Sequence, residues 1–319
     1  MADTLLASND PAAALSARWV RMAGTDRMVG PAAHLAAERE RLAALTWNEF
    51  GVRRLGATLG AELSGLDLRT DLPDAVIDEI RRALAEYKVI FFRDQPVSPE
   101  QHVAFARRFG DLEVHPFIPG NPSVPELVRF QKTAEVGGYE NSWHHDVTWR
   151  LTPSMGAVLH ALHVPEVGGD TLFADMYAAY DGLPDEVKAQ IDGLTAVHDF
   201  MKSFGRQVPP DKMEETRAKY PLVEHPVVCT HEVTGRRFLY VNRNFVDHIV
   251  GFEPAESDAL IDQLCSQADY PEHQCRFRWE RDSIAFWDNR AVQHYAASDY
   301  WPEVRIMERA SIVGNRPAG

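Results

Sequence analysis

From about residue 126 the chain is written in short segments rich in β-branched and aromatic residues, VLHALHV, TLFA, FLYV, SIAFW and RIMERASIV, separated by Gly, Pro and Asp turns. Such segments read as many short antiparallel strands. Helical interruptions are expected near Asp185–Ile191 and Glu256–Leu264. With no fixed-period repeat and no low-complexity linker, the pattern implies one sheet-built core with helices on its outside, a mixed α/β architecture.

The upstream third is helical. Val76, Ile80, Leu84 and Tyr87 share one face of a helix over Asp74–Tyr87, and Lys88-Val89-Ile90-Phe91-Phe92 follows as a short buried strand. Ser98-Pro99-Glu100-Gln101 supplies an N-cap, a proline for the first turn and a capping-box glutamine. The helix it starts carries Val103, Phe105 and Phe109 and ends at Gly110. Residues 1–47, rich in Ala, Arg and Glu, read as a helical extension, with a helix around Ala32–Leu45 packing on the body or on a second subunit. Residues 48–319 then form the single domain. A homo-oligomer is expected.

Composition narrows the partners. Lys+Arg 33 against Asp+Glu 47 gives a net charge of −14 over 319 residues, which speaks against nucleic acid held on a basic surface. No apolar run approaches a bilayer span and no leader pattern opens the chain, so a cytoplasmic protein without membrane contact is expected. Cys229, Cys265 and Cys275 lack CxxC spacing and read as buried thiols.

Chemistry enters with Trp143-His144-His145-Asp146. On a strand, residues two apart point to one side, so His144 and Asp146 can converge while His145 points away. His-x-Asp alone is weak evidence, because a core histidine beside a carboxylate gives the same tripeptide. A second histidine, His294, stands in the segment WDNRAVQHYA. Two imidazoles and a carboxylate on one face of an octahedral ion leave three positions open, enough for a chelating cosubstrate and dioxygen. A zinc hydrolase also uses such a set, but it needs a general base, as in H-E-x-x-H, and that motif is missing from the sequence.

The ordered blocks KVIFFRDQ, FGDLEVHP, NSWHHDVTW, VPEVGGDTLFADMYAAYDGLP, EHPVV, WDNRAVQHYA and RIMERASI cover roughly residues 52–314. They resemble the taurine dioxygenase family of iron(II)- and 2-oxoglutarate-dependent dioxygenases. The resemblance implies a double-stranded β-helix (jelly-roll) core with His144, Asp146 and His294 holding iron at its mouth. It implies that 2-oxoglutarate and O2 are consumed to succinate and CO2 while a C–H bond of a small anionic organic substrate is hydroxylated. Where that carbon bears a sulfonate or sulfate ester, the product falls apart to an aldehyde and sulfite or sulfate.

By the same resemblance Arg305 takes the distal carboxylate of 2-oxoglutarate with help from Thr171, a task suited to a forked guanidinium. Arg309, on the same strand face, is expected nearer the iron, within reach of cosubstrate and substrate anion. His115 matches the family's sulfonate-binding histidine and Phe204 an aromatic of the substrate pocket. Trp143 and Trp287 read as core filling. Three positions depart from the pattern. Ile118 replaces a tyrosine, Glu140 a pocket asparagine and Glu308 a common histidine. Glu140 is expected to face solvent, since a carboxylate beside an aliphatic wall would need a partner, and Glu308, on the face opposite the arginines, to sit in a surface or second-layer ion pair. His115 and Arg309 should make a partly cationic corner, which with an apolar wall favours an alkyl sulfonate or sulfate ester over taurine. A zinc hydrolase or a non-catalytic cupin-like binding protein would use a similar barrel. Neither needs a diacid anchor, so Arg305 with Thr171 separates the first reading from both.

Overall fold

The computed structural model describes residues 19–25, 27–115 and 120–319. Its centre is an eight-stranded sheet in which Ile284–Asp288, Gly156–His163, Arg305–Ile312 and Val124–Lys132 lie side by side. A three-stranded sheet, with Thr171–Asp175 between Gln274–Phe277 and Val292–Ala296, faces it. The central strands are covered on both sides, so they read as continuous apolar runs with a two-residue alternation inside them. Ile90, Phe92, Val158, Ile284, Phe286, Ala310 and Ile312 point to the outer helices. Phe91, Ala157, Ala161, Ala285, Trp287 and Met307 point inward and meet Phe173, Phe277 and Val292 of the smaller sheet. This is the expected jelly-roll sandwich.

The upstream elements fall where the periodicity puts them. Asp74–Tyr87 is a helix that buries Val76, Ile77, Ile80, Ala83, Leu84 and Tyr87, and Val89–Phe92 pairs with Ile284–Asp288. Pro99–Arg107 begins with the full capping box of Ser98 and Gln101. The helices Asp185–Ile191 and Pro254–Cys265 are also present. Among the described residues no helix is long and apolar enough to cross a membrane. All three cysteines are buried and free.

The described part of the extension begins with a two-stranded ribbon, Val20–Arg21 with Met28–Val29. A 3-10 turn at Ala33–Leu35 leads into the helix Ala36–Ala43, somewhat shorter than expected. The helix packs on the body. Leu42 enters the core beneath Asp74–Tyr87, and Glu38 accepts from Lys88 Nζ at 3.1 Å and from Arg236 at 2.7 Å. Lys88 caps the preceding helix at φ 64°, an uncommon backbone for a side chain with a Cβ. Its buried ammonium is fixed there by the Thr58 carbonyl at 2.6 Å and by Asp175 at 3.4 Å.

Candidate metal centre

His144, Asp146 and His294 come together at one end of the sandwich, with one donor atom of each within 4.8 Å of the others. His294 lies on the strand Val292–Ala296, whose partner is Thr171–Asp175. His144 joins it by a single antiparallel bridge, His294 N–H to His144 O at 2.9 Å and His144 N–H to His294 O at 3.2 Å. The expected strand under His-x-Asp is therefore corrected to a bridge followed by a turn. The turn arises because Val147 takes φ 51°, which takes the chain out of extended backbone immediately after Asp146. Convergence is kept. His144 Nε2 is 3.8 Å from Asp146 Oδ1 and His294 Nε2 is 3.9 Å from Asp146 Oδ2, while His145 turns away, fully buried against Tyr240.

The donors are in the right chemical state for a cation. The Nδ1–H of His144 donates to the Ser142 carbonyl at 2.8 Å, which leaves the Nε2 lone pair for a metal. Burial, and then the neighbouring His144, hold His294 well below the usual imidazole range, so it is a neutral ligand at pH 7. Burial would raise Asp146, but the Arg309 guanidinium bonded to it outweighs this and keeps the carboxylate ionised far below its ordinary value. Arg309 donates to Asp146 Oδ2 at 2.8 Å, which places it beside the three donors. A hard divalent cation with three open positions fits this set.

Arg305 and Thr171 are also brought together. Arg305 is 7% exposed and reaches Thr171 Oγ1 at 3.5 Å. Its Nε has no hydrogen-bond partner among the described residues, and burial pushes the guanidinium down. A buried cation so poorly paired is suited to an anion. The Thr171 hydroxyl takes the Trp279 Nε1–H at 2.9 Å and the Arg305 contact on its acceptor side, so its own O–H can donate to the same anion. Gly169 makes this possible. It has φ +70°, and a Cβ there would lie 3.3 Å from Arg305 Cδ.

On the substrate side the outcome is mixed. His115 is half-buried near Arg309 and Arg150, and burial followed by these two guanidiniums pushes it down to about 4. The expected contribution of His115 to a cationic corner is thus corrected: it is a neutral hydrogen-bonding ring, and the positive charge there belongs to the arginines. Phe204 stacks on Phe200 at 4.9 Å within a cluster that includes Trp149 and Phe245. Ile118 lies outside the described residues. Glu140 does not simply face solvent, because it accepts from Lys132 Nζ at 2.7 Å. Glu308 has its ion pair, with Arg129 at 2.8 Å, and at 2% exposed it is the second-layer form of the two expected. Trp287 is core, and Trp143 packs against Tyr295.

Some contributors left no mark in the spacing. Asn289 clamps the Asp146 peptide, accepting from its N–H at 2.7 Å and donating to its carbonyl at 3.0 Å. Its only signal was a polar residue directly after an apolar strand. Ser142 and Trp279 gave no signal, since one acts through its carbonyl and the other through an indole N–H from the loop after Gln274–Phe277.

A model of the family described as "Taurine catabolism dioxygenase TauD, TfdA family" matches residues 51–311. An alkylsulfatase of Acinetobacter baylyi is 34% identical over 280 residues, covering 85% of this chain and 87% of that protein. An alpha-ketoglutarate-dependent sulfate ester dioxygenase of Pseudomonas putida is 35% identical, covering 85% and 92%. The crystal structure of a taurine dioxygenase from Burkholderia xenovorans superposes with a TM-score of 0.75 at 37% identity, covering 85% of this chain and 92% of that one. With ligand set, sandwich and matched span in agreement, the chain belongs to the TauD/TfdA family of dioxygenases.

Proposed function

We propose that this chain is an iron(II)- and 2-oxoglutarate-dependent dioxygenase that hydroxylates the carbon bearing a sulfate ester or sulfonate, with an alkyl sulfate preferred to taurine. The observation that carries the reading is Arg305, a buried guanidinium 3.5 Å from Thr171 Oγ1, on the strand whose Arg309 donates to Asp146 of the His144, Asp146 and His294 cluster. Hydrolysis on zinc or simple metal storage has no use for it. The sulfate ester and sulfonate relatives support the head group.

In this reading His144, Asp146 and His294 hold the iron, and Arg305 with Thr171 holds the distal carboxylate of 2-oxoglutarate. When bound, the iron supplies the oxidation, in which 2-oxoglutarate and O2 become succinate and CO2 and one oxygen atom enters a substrate C–H bond. Arg309 keeps Asp146 ionised and offers positive charge to the substrate head group, and His115 offers it a neutral N–H. The Phe204 cluster keeps water from the neighbouring wall. A hydroxyl placed on the carbon that carries the sulfate oxygen makes that carbon a hemiacetal ester, which collapses to an aldehyde and sulfate with no further catalyst.

The test is a panel of alkyl sulfates, alkyl sulfonates and taurine, with succinate and the released sulfate or sulfite both measured. A medium-chain alkyl sulfate should give the highest kcat/KM, with one sulfate per succinate. Arg305→Ala should raise the apparent 2-oxoglutarate constant at least about tenfold, since a charge-assisted pair to a desolvated carboxylate is worth on the order of 1.5–3 kcal/mol. Taurine as the best substrate would remove the substrate assignment, and an unchanged constant in Arg305→Ala would remove the anchor.

A further inference from the structure

The wall behind Arg305 carries a charge pair with no part in the scheme above. Arg305 and Lys132 are direct partners across the strands Arg305–Ile312 and Val124–Lys132, so two cations stand side by side, an arrangement that costs stability unless something compensates. The compensation is Glu140. Its carboxylate accepts from Lys132 at 2.7 Å. Its carbonyl accepts from Ala296 N–H at 3.2 Å, and Ala296 is paired with Thr171. Glu140 is thereby built into the same corner as Thr171 and Arg305, where its charge acts on Arg305 and on Tyr300.

A carboxylate in that corner is a hazard for a site that takes a diacid. Unpaired, it would compete with the distal carboxylate of the cosubstrate for the guanidinium and repel it. Lys132 is mostly buried, with its side chain 15% exposed, and its ammonium is held on Glu140. We propose that Lys132 is a positioning residue for the cosubstrate, occupying Glu140 so that Arg305 stays available to the distal carboxylate, and that the Lys132–Glu140 pair thereby sets the preference for a 2-oxo diacid over a 2-oxo monoacid. This rests on the assignment of Arg305 as the cosubstrate anchor.

The experiment is calorimetric titration of Mn(II)-loaded enzyme, which does not turn over, with 2-oxoglutarate and with pyruvate, which chelates alike but lacks the distal carboxylate. Lys132→Met keeps the stem and drops the charge. It should weaken 2-oxoglutarate by about fivefold, the order of one partly exposed ion pair, and leave pyruvate unchanged. Lys132→Met with Glu140→Gln should return 2-oxoglutarate to the parent affinity, and Glu140→Gln alone should bind it at least as tightly as the parent. In turnover, Lys132→Met should raise KM for 2-oxoglutarate without lowering kcat. The proposal is overturned if Lys132→Met leaves 2-oxoglutarate affinity intact, weakens both ligands alike, or is not rescued by Glu140→Gln. Arg305→Ala separates the two levels: if it weakens 2-oxoglutarate while Lys132→Met does not, only the present proposal fails, and if Arg305→Ala has no effect the anchor itself is lost.

Discussion

Asn289 shows how much of the metal site is held through the backbone. It is 1% exposed and bonds both peptide groups of Asp146 as well as the Ser154 carbonyl at 3.0 Å. The turn it holds contains Val147 at φ 51°, a strained conformation for a β-branched residue that persists only where its surroundings enforce it. Asn289→Ala should therefore weaken metal binding by about 10- to 100-fold, the usual range for groups that orient a ligand. Anaerobic titration with Co(II), read by its visible spectrum, measures this without turnover, and an unchanged affinity would mean that the turn holds itself. The ligands and the arginine pair were legible because they stand in ordered blocks that resemble those of the family. Asn289 and Ser142 were not, because each bond runs through a peptide atom, which every residue has. The placement of Glu140 and the charge of His115 were misjudged for a related reason: the first depends on Lys132, and the second on burial and then on Arg309 and Arg150, groups brought in by other segments.

At the level of elements the reading succeeded where a segment packs on a core, on one side or on both. The helix Asp74–Tyr87 and the strands Val89–Phe92, Ile284–Asp288 and Arg305–Ile312 carry their burial pattern in their sequence. Met176–Asp181, Phe200–Phe204 and Met213–Lys219 escaped, because five to seven residues rarely display a helical period, although the equally short Asp185–Ile191 did. The strands Gly51–Arg54 and Ala61–Ser64 escaped at four residues each. Caps are read more securely than such short periods, and the one at Ser98 can be tested. The Ser98 hydroxyl accepts from Gln101 N–H at 3.2 Å, and the Gln101 side chain accepts from Ser98 N–H at 2.8 Å. Ser98→Ala should cost about 1 kcal/mol in urea unfolding, and Ser98→Asp should recover most of it. Equal losses in both would mean that the cap contributes nothing beyond the turn itself.

For the whole molecule, the buried histidines set the response to acid. Burial is the first cause in each case: it pushes His34 to about 4 and His102 to about 3, and lowers His198, His225 and His273. A histidine whose folded value lies below its unfolded value is favoured as the neutral ring, so the unfolded chain binds more protons. The stability it contributes is complete above about pH 6.5 and is lost as pH falls toward the folded value, at up to about 1.4 kcal/mol per pH unit for each such group. Glu38, held at about 2 by its cationic neighbours against the raising effect of burial, has the other window, with its contribution lost only below 4.5. The urea midpoint should therefore drop between pH 7 and pH 5, before the carboxylates titrate, and His102→Gln should flatten that slope. A midpoint constant over the interval would show that these rings stay solvated in the folded state. Glu38 has a consequence of another kind. It lies before residue 51, where the stretch shared with the family begins, yet it holds both Lys88 and Arg236, and the Lys88 carbonyl accepts from Asp288 N–H, next to Asn289. Transplanting this site into another scaffold would therefore mean carrying along a helix that lies outside the stretch matched by the family model.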